Sequence, residues 1–120
     1  MNKRQTGAAA EDCAAKYLCG QGMRIVQRNY RCRQGEIDII GYHEGYLVFV
    51  EVKYRSTAGR GCAEEAVGAA KQRQICRVAD VYRYVHRVSS SVPVRYDVLA
   101  IQGEVIRWYQ NAFPHIYTRG

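Results

Sequence analysis

Between Gly35 and Arg55 the chain reads G-E-I-D-I-I-G-Y-H-E-G-Y-L-V-F-V-E-V-K-Y-R, and few folds can accommodate that stretch. Two strand-like apolar runs flank Glu44-Gly45, a pair suited to a two-residue turn, so the stretch predicts a β-hairpin. With those two residues at the turn, His43 faces Tyr46. Counting back, Asp38 falls opposite Glu51 and Glu36 opposite Lys53. Glu51 and Lys53 share a face because strand side chains alternate. Opposed residues have Cβ atoms about 5 Å apart, and two carboxylates at that distance repel by roughly 3 kcal/mol at an effective dielectric near 20. A divalent cation between them converts that cost into a binding site. The register is decisive, since a one-residue slip would send Asp38 and Glu51 to opposite faces.

The rest of the hairpin is apolar on both faces. Ile37, Ile39, Val48, Val50 and Val52 take one face, and Ile40, Leu47 and Phe49 join the carboxylates on the other, so layers are expected on both sides. An alanine-rich helix is expected from Gly7 to Gly20 after a frayed basic arm, residues 1–6. Its stripe is Ala14, Ala15 and Leu18, with Glu11 two turns before Leu18 on the same face. Glu11 there either complements the helix dipole or serves the hairpin's acid pair. Met23–Tyr30 reads as a strand. Glu64 to about Val88 reads as a long helix with the stripe Val67, Ile75, Val78, Tyr82 and Val85. Lys71 projects with that stripe, either as a snorkelling stem or as a cation aimed at the cleft edge. Pro93–Ile101 and Val105–Tyr109 read as two more strands, and the tail, residues 114–120, as loosely ordered. The order is helix, three strands, helix, two strands: one α/β domain over residues 1–120, with a mixed five-stranded sheet flanked by two main helices.

Composition narrows the function. The chain of 120 residues carries a formal charge of +7, and arginine supplies most of it, with 14 Arg against 4 Lys. Guanidinium forks bind phosphate in bidentate fashion, which points to a polyanionic partner. Arg28, Arg31, Arg33, Arg55, Arg60 and Lys71 are the candidate nucleic-acid contacts. No apolar run is long enough to span a membrane and no signal-peptide core follows Met1, so a cytoplasmic protein is expected. The five cysteines form no Cys-x-x-Cys pair, and His43, His86 and His115 do not complete a zinc set. No Ser-His or Cys-His pair presents itself. Phosphodiester hydrolysis by a bound metal remains: Asp38, Glu51 and the Val52 carbonyl are hard oxygen ligands for Mg²⁺ or Mn²⁺. Lys53 is placed to orient water or offset charge on the phosphate. The competing reading is a surface pair of Lys53 with Glu36 and two solvated carboxylates.

G-E-I-D-I-I followed by F-V-E-V-K-Y-R resembles the D-x(n)-E-x-K signature of the PD-(D/E)XK nuclease superfamily. With R-N-Y-R before it and R-Y-D-V-L-A-I after it, the string resembles the YraN-like family, small bacterial proteins similar in fold to archaeal Holliday junction resolvases. The similarity runs from about Gly7 to Phe113. It implies a restriction endonuclease-like three-layer core, a metal site at Asp38, Glu51 and Lys53, and Glu11 as a fourth member of the site. The expectation is a metal-dependent endodeoxyribonuclease acting on branched or single-stranded DNA, in a two-fold homodimer that makes paired incisions. The alternatives are a nucleic-acid-binding protein that keeps the fold but cleaves little, and an assembly factor whose charged surface meets another protein.

Overall fold

A computed structural model describes the backbone of residues 3–55 and 67–117, and side chains within 8–54 and 67–117. Among the described residues the elements are α1 (Lys3–Gly20), β1 (Arg24–Cys32), β2 (Gly35–His43), β3 (Tyr46–Arg55), α2 (Ala69–Val85), β4 (Val94–Gln102) and β5 (Val105–Phe113). The strands form one sheet in the order β1-β2-β3-β4-β5. Every neighbouring pair is antiparallel except β3 and β4, which run parallel. A parallel pair needs a crossover, and α2 lies within it. The fold is the expected α/β arrangement, a mixed five-stranded sheet with a helix on each face.

Both sheet faces are apolar because both are covered. Ala10, Ala14 and Leu18 of α1 pack on Ile39, Val48, Val50, Leu99 and Ile101. Ile75, Val78, Ala79 and Tyr82 of α2 pack on Ile40, Leu47, Phe49, Tyr96 and Val98. This alternation along β3 places its even residues under α1 and its odd residues under α2. Ile37, expected to share a face with Ile39, instead joins the α2-side cluster. The alternation breaks at Asp38, beside Asn29 of β1, whose φ is +52°. There the β1–β2 ladder passes from Arg28↔Ile39 to Tyr30↔Ile37 without pairing the residues between.

The hairpin turn fixes the register as expected. Glu44 and Gly45 have φ of 51° and 85°, the left-handed pair of a type I′ turn, and His43 pairs with Tyr46. Several boundaries differ from the expectation: the first strand runs on to Cys32 where Tyr30 was expected to end it, and the last to Phe113 where Tyr109 was expected to end it. The first helix begins at Lys3, since nothing in Lys3–Thr6 breaks a helix. The second begins at Ala69, after an extended Gly68, so Val67 is buried from the segment before it and Val85 is exposed at its end. Residues 64–66, assigned to that helix, lie outside the described residues. The tail is pinned as far as Ile116: the His115 ring sits 2.6 Å from the Tyr96 hydroxyl, and the Ile116 N–H donates to Cys76 Sγ.

Gly41 is buried in β2 because the first strand crosses it closely. A Cβ there would stand 2.9 Å from the Arg24 carbonyl oxygen and 2.9 Å from Met23 Cγ. The carbonyl is backbone within a paired strand and cannot swing away. Gly41→Ala is expected to cost about 1–3 kcal/mol, the range for overpacking. Its melting temperature should therefore fall by about 5–10 °C; a melt within 2 °C of the parent, well below that scale, would show that β1 slides freely.

Candidate functional site

The hairpin carries its acid pair at the end remote from the turn. The ladder runs from His43↔Tyr46 to Ile39↔Val50 and stops short of Asp38 and Glu51, which were expected to pair directly. The reason is a side chain standing in for backbone. Asp38 Oδ2 accepts the Val52 N–H at 2.8 Å, a bond that competes with the regular ladder. β3 does not fray in consequence, because β4 pairs with it from Leu47↔Val94 through Arg55↔Gln102. Glu51 and Lys53 are thus displayed from a strand held on its other side.

Electrostatics mark this pair out. Burial pushes the Asp38 carboxyl up to about 7, the charge of Glu51 adds to the rise, and the Val52 N–H opposes it. Glu11 contributes a smaller repulsion. Glu51 is only 8% exposed. Its Oε2 lies 3.4 Å from Lys53 Nζ and 3.6 Å from Lys71 Nζ. Lys71 therefore projects to the cleft from α2, and both lysines converge on one oxygen. The Lys53–Glu36 ion pair of the competing reading does not form: Glu36 Oε2 instead accepts Arg31 Nε at 3.0 Å.

Glu11 is half-buried on α1 and reaches Asp38 through its charge alone. Among the described residues no three His, Cys, Asp or Glu side chains gather as a ready-made metal cage. The donor set at the pair is two carboxylates, with the Val52 carbonyl on the same strand. Such hard oxygens suit Mg²⁺ or Mn²⁺, ions that keep several waters and take only one or two protein carboxylates. The Asp38 carboxyl is raised first by burial and then by the charge of Glu51 beside it.

The arginines are less free than their number suggests. Arg28 is bound to Asp12 of α1 at 2.9 Å, and Arg31 to Glu36. Arg33 is exposed. The Arg55 side chain and all of Arg60 lie outside the described residues, as does Cys62. Among the described residues no helix is long and apolar enough to cross a membrane.

On the α1 face of the sheet is a buried polar network the sequence reading missed. Arg95 (5% exposed) and Asp97 (1% exposed) form a bidentate pair, with Nε to Oδ1 and Nη2 to Oδ2 both at 2.9 Å. Arg95 Nη2 also lies 2.9 Å from His43 Nδ1. Asp97 accepts Trp108 Nε1 at 2.8 Å and the Asn111 N–H at 2.9 Å. The guanidinium faces the rings of Tyr46 and Trp108. The signal was present in R-Y-D: two charges two residues apart on an apolar strand share a face, by the same alternation that paired Glu51 with Lys53. Every acceptor site on Asp97 is satisfied, and the network closes the sheet beneath the hairpin turn.

Comparison with known proteins follows the same outline. The sequence pattern described as "Uncharacterised protein family UPF0102" matches residues 10–101. A "UPF0102 protein" of Lachnoclostridium phytofermentans is 50% identical over 113 residues, 94% of this chain and 96% of its own. Those of Shewanella amazonensis and Alcanivorax borkumensis are each 42% identical. They cover 89% and 93% of this chain and 97% and 94% of their own lengths. The matched span takes in α1 from Ala10, the hairpin, α2 and nearly all of β4.

Proposed function

The chain belongs to the uncharacterised protein family UPF0102, a PD-(D/E)XK-like member of the nuclease superfamily, and from its acid pair we propose that it is a metal-dependent endodeoxyribonuclease. The observation that carries the reading is the contact of two half-buried to buried carboxyls, Asp38 and Glu51, with two lysines aimed at one of them. A purely structural strand end has no use for that concentration of charge.

Asp38, Glu51 and the Val52 carbonyl would hold Mg²⁺ or Mn²⁺. That ion supplies the Lewis acid that polarises a phosphodiester and lowers the pKa of a bound water. The remaining work belongs to the chain itself. Asp38 gives up its proton when the site fills. Lys53, no longer needed by Glu51, turns its ammonium to the attacking water or to charge gathering on the phosphate. Lys71 steadies the same charge from α2. Glu11 keeps the α1 side of the pair negative. Arg33, Arg28 once released from Asp12, and Arg31 through the guanidinium nitrogens that Glu36 leaves open, contact the flanking backbone. Branched or otherwise unpaired DNA is the substrate we favour, cut by a two-fold homodimer that brings two such sites to one junction.

The test is direct. Purified protein incubated with branched and single-stranded DNA in Mn²⁺ or Mg²⁺ should produce nicks that vanish when the metal is chelated. Binding to the same DNA should weaken steeply with salt, as several phosphate contacts require. If neither ion supports cutting of any DNA tried while binding persists, the protein is a nucleic-acid binder that retains the fold.

A further inference from the structure

Next to the acid pair lies a second cavity. A cleft of about 340 Å³ runs between the β1–β2 turn and the first half of α2, lined by Arg31, Cys32, Gly35, Glu36, Lys71 and Gln74. Lys71 belongs to both places, because the side chain that reaches Glu51 at 3.6 Å also forms part of the cleft wall. The cleft therefore opens one lysine away from the acid pair.

Its chemistry is that of a phosphate seat. Arg31 and Lys71 bring two cations to one small volume, with the single carboxylate of Glu36 on the same lining. Arg31 engages Glu36 through Nε, which leaves both terminal guanidinium nitrogens for a second anion. The Gln74 amide has no hydrogen-bond partner among the described residues. It is held close by bare backbone: a Cβ on Gly35 would stand 2.8 Å from Gln74 Cδ and Nε2. An amide donor beside two cations, with no acceptor of its own among the described residues, suits an anionic oxygen.

We propose that this cleft seats one phosphodiester of an unpaired nucleic-acid strand, adjacent to the phosphodiester at Asp38 and Glu51, with Lys71 spanning the two. The assignment rests on the reading of the acid pair as a nuclease site and narrows its substrate. A cleft this small, walled by α2 on one side and the β1–β2 turn on the other, takes a single backbone and not a duplex. The protein thus selects strands that are locally unpaired, as at a branch point, a flap or an end.

The test measures fluorescence anisotropy of a short labelled oligothymidylate in EDTA, so that nothing is cut, with an oligouridylate and a blunt hairpin duplex as companions. Gln74→Glu adds one negative charge inside the cleft. Arg87→Gln makes the same change in net charge beyond the far end of α2, about 20 Å away at 1.5 Å per residue. Gln74→Glu should weaken binding of the unpaired strand about tenfold, the scale of one lost charge contact, while Arg87→Gln weakens it less than about twofold and the duplex binds more weakly than the strand. The tighter of the two oligonucleotides identifies the sugar. Equal losses for the two variants, in a protein that still cuts DNA with Mn²⁺, overturn the cleft and leave the nuclease reading intact. A duplex that binds as tightly as the strand overturns the selection for unpaired substrate. No binding to any nucleic acid overturns both readings. Melting curves establish that Gln74→Glu is folded, and Arg31→Gln repeats the test from the opposite wall if it is not.

Discussion

Asp38→Asn is expected to abolish metal-dependent cutting and at the same time to make the protein more stable. The loss of activity should reach roughly three orders of magnitude, the scale seen when a group stabilising charge at a reacting centre is removed. The gain in stability follows from the buried acid. An amide oxygen can still accept the Val52 N–H, but it carries no charge to set against Glu51. The sign can be worked out from the carboxyl's displacement to about 7. The folded protein holds this proton over a range where the unfolded chain has lost it, so stability falls as pH rises from the ordinary carboxylate range to about 7, then levels off. The wild type bears the full cost at pH 8 and almost none at pH 4. Asp38→Asn should therefore melt about 5–10 °C above the wild type at pH 8 and close to it at pH 4. Added Mn²⁺ should raise the wild-type melting temperature at pH 8 and leave that of the variant unchanged. A variant that melts lower than the wild type at pH 8, or still responds to Mn²⁺, would remove the acid pair from consideration as the metal site. DNA binding in EDTA should survive the substitution, which separates loss of chemistry from loss of affinity.

The second large effect belongs to the α1 face of the sheet. Asp97→Asn leaves the Arg95 guanidinium buried with no carboxylate to face. Breaking a buried pair from one side costs about 3–5 kcal/mol, because the remaining charge is uncompensated. The melting temperature should fall by about 10–20 °C. The double variant Arg95→Met/Asp97→Asn removes the orphaned charge as well and should recover at least half of that loss. If the single variant melts within a few degrees of the parent, Arg95 has an escape route to solvent that its burial does not suggest. If the double variant is no better than the single one, the fold depends on the hydrogen bonds to His43 and Trp108 and not on charge balance.

Much of the fold was legible because a few residues carry strong local rules. Glu44-Gly45 admits one turn geometry, and that turn sets the hairpin register as far as Ile39↔Val50. Lys71 could be assigned to the sheet side of α2 by helical periodicity alone. What escaped was wherever a side chain replaces backbone or another side chain as partner. The ladder beyond Ile39 ends because Asp38 bonds to Val52, an exchange that pairing rules do not anticipate. The arginines read as free surface charge were partly engaged, since Arg28 meets Asp12 from another element and Arg31 meets Glu36 across the β1–β2 turn. The Arg95–Asp97–Trp108 network assembles across β4 and β5 with His43 from a third strand, and no local pattern joins those three. The start of α2 moved to Ala69 because Gly68 stays extended while Val67 turns into the core, a tertiary preference that outweighs helical propensity.

β1 and β5 are both nine residues long and, among the described residues, each leaves one side of its backbone unpaired. Each also carries an asparagine in the left-handed region, Asn29 at φ +52° and Asn111 at φ +54°. At the first the ladder skips a pair, and near the second its register shifts between Tyr96 and Val98. A strand bent in this way presents no continuous row of donors and acceptors to a passing chain. The sheet is thereby guarded against growth by edge-to-edge addition: the margins that could seed aggregation are interrupted by single residues, and the five-stranded sheet remains closed to a sixth strand.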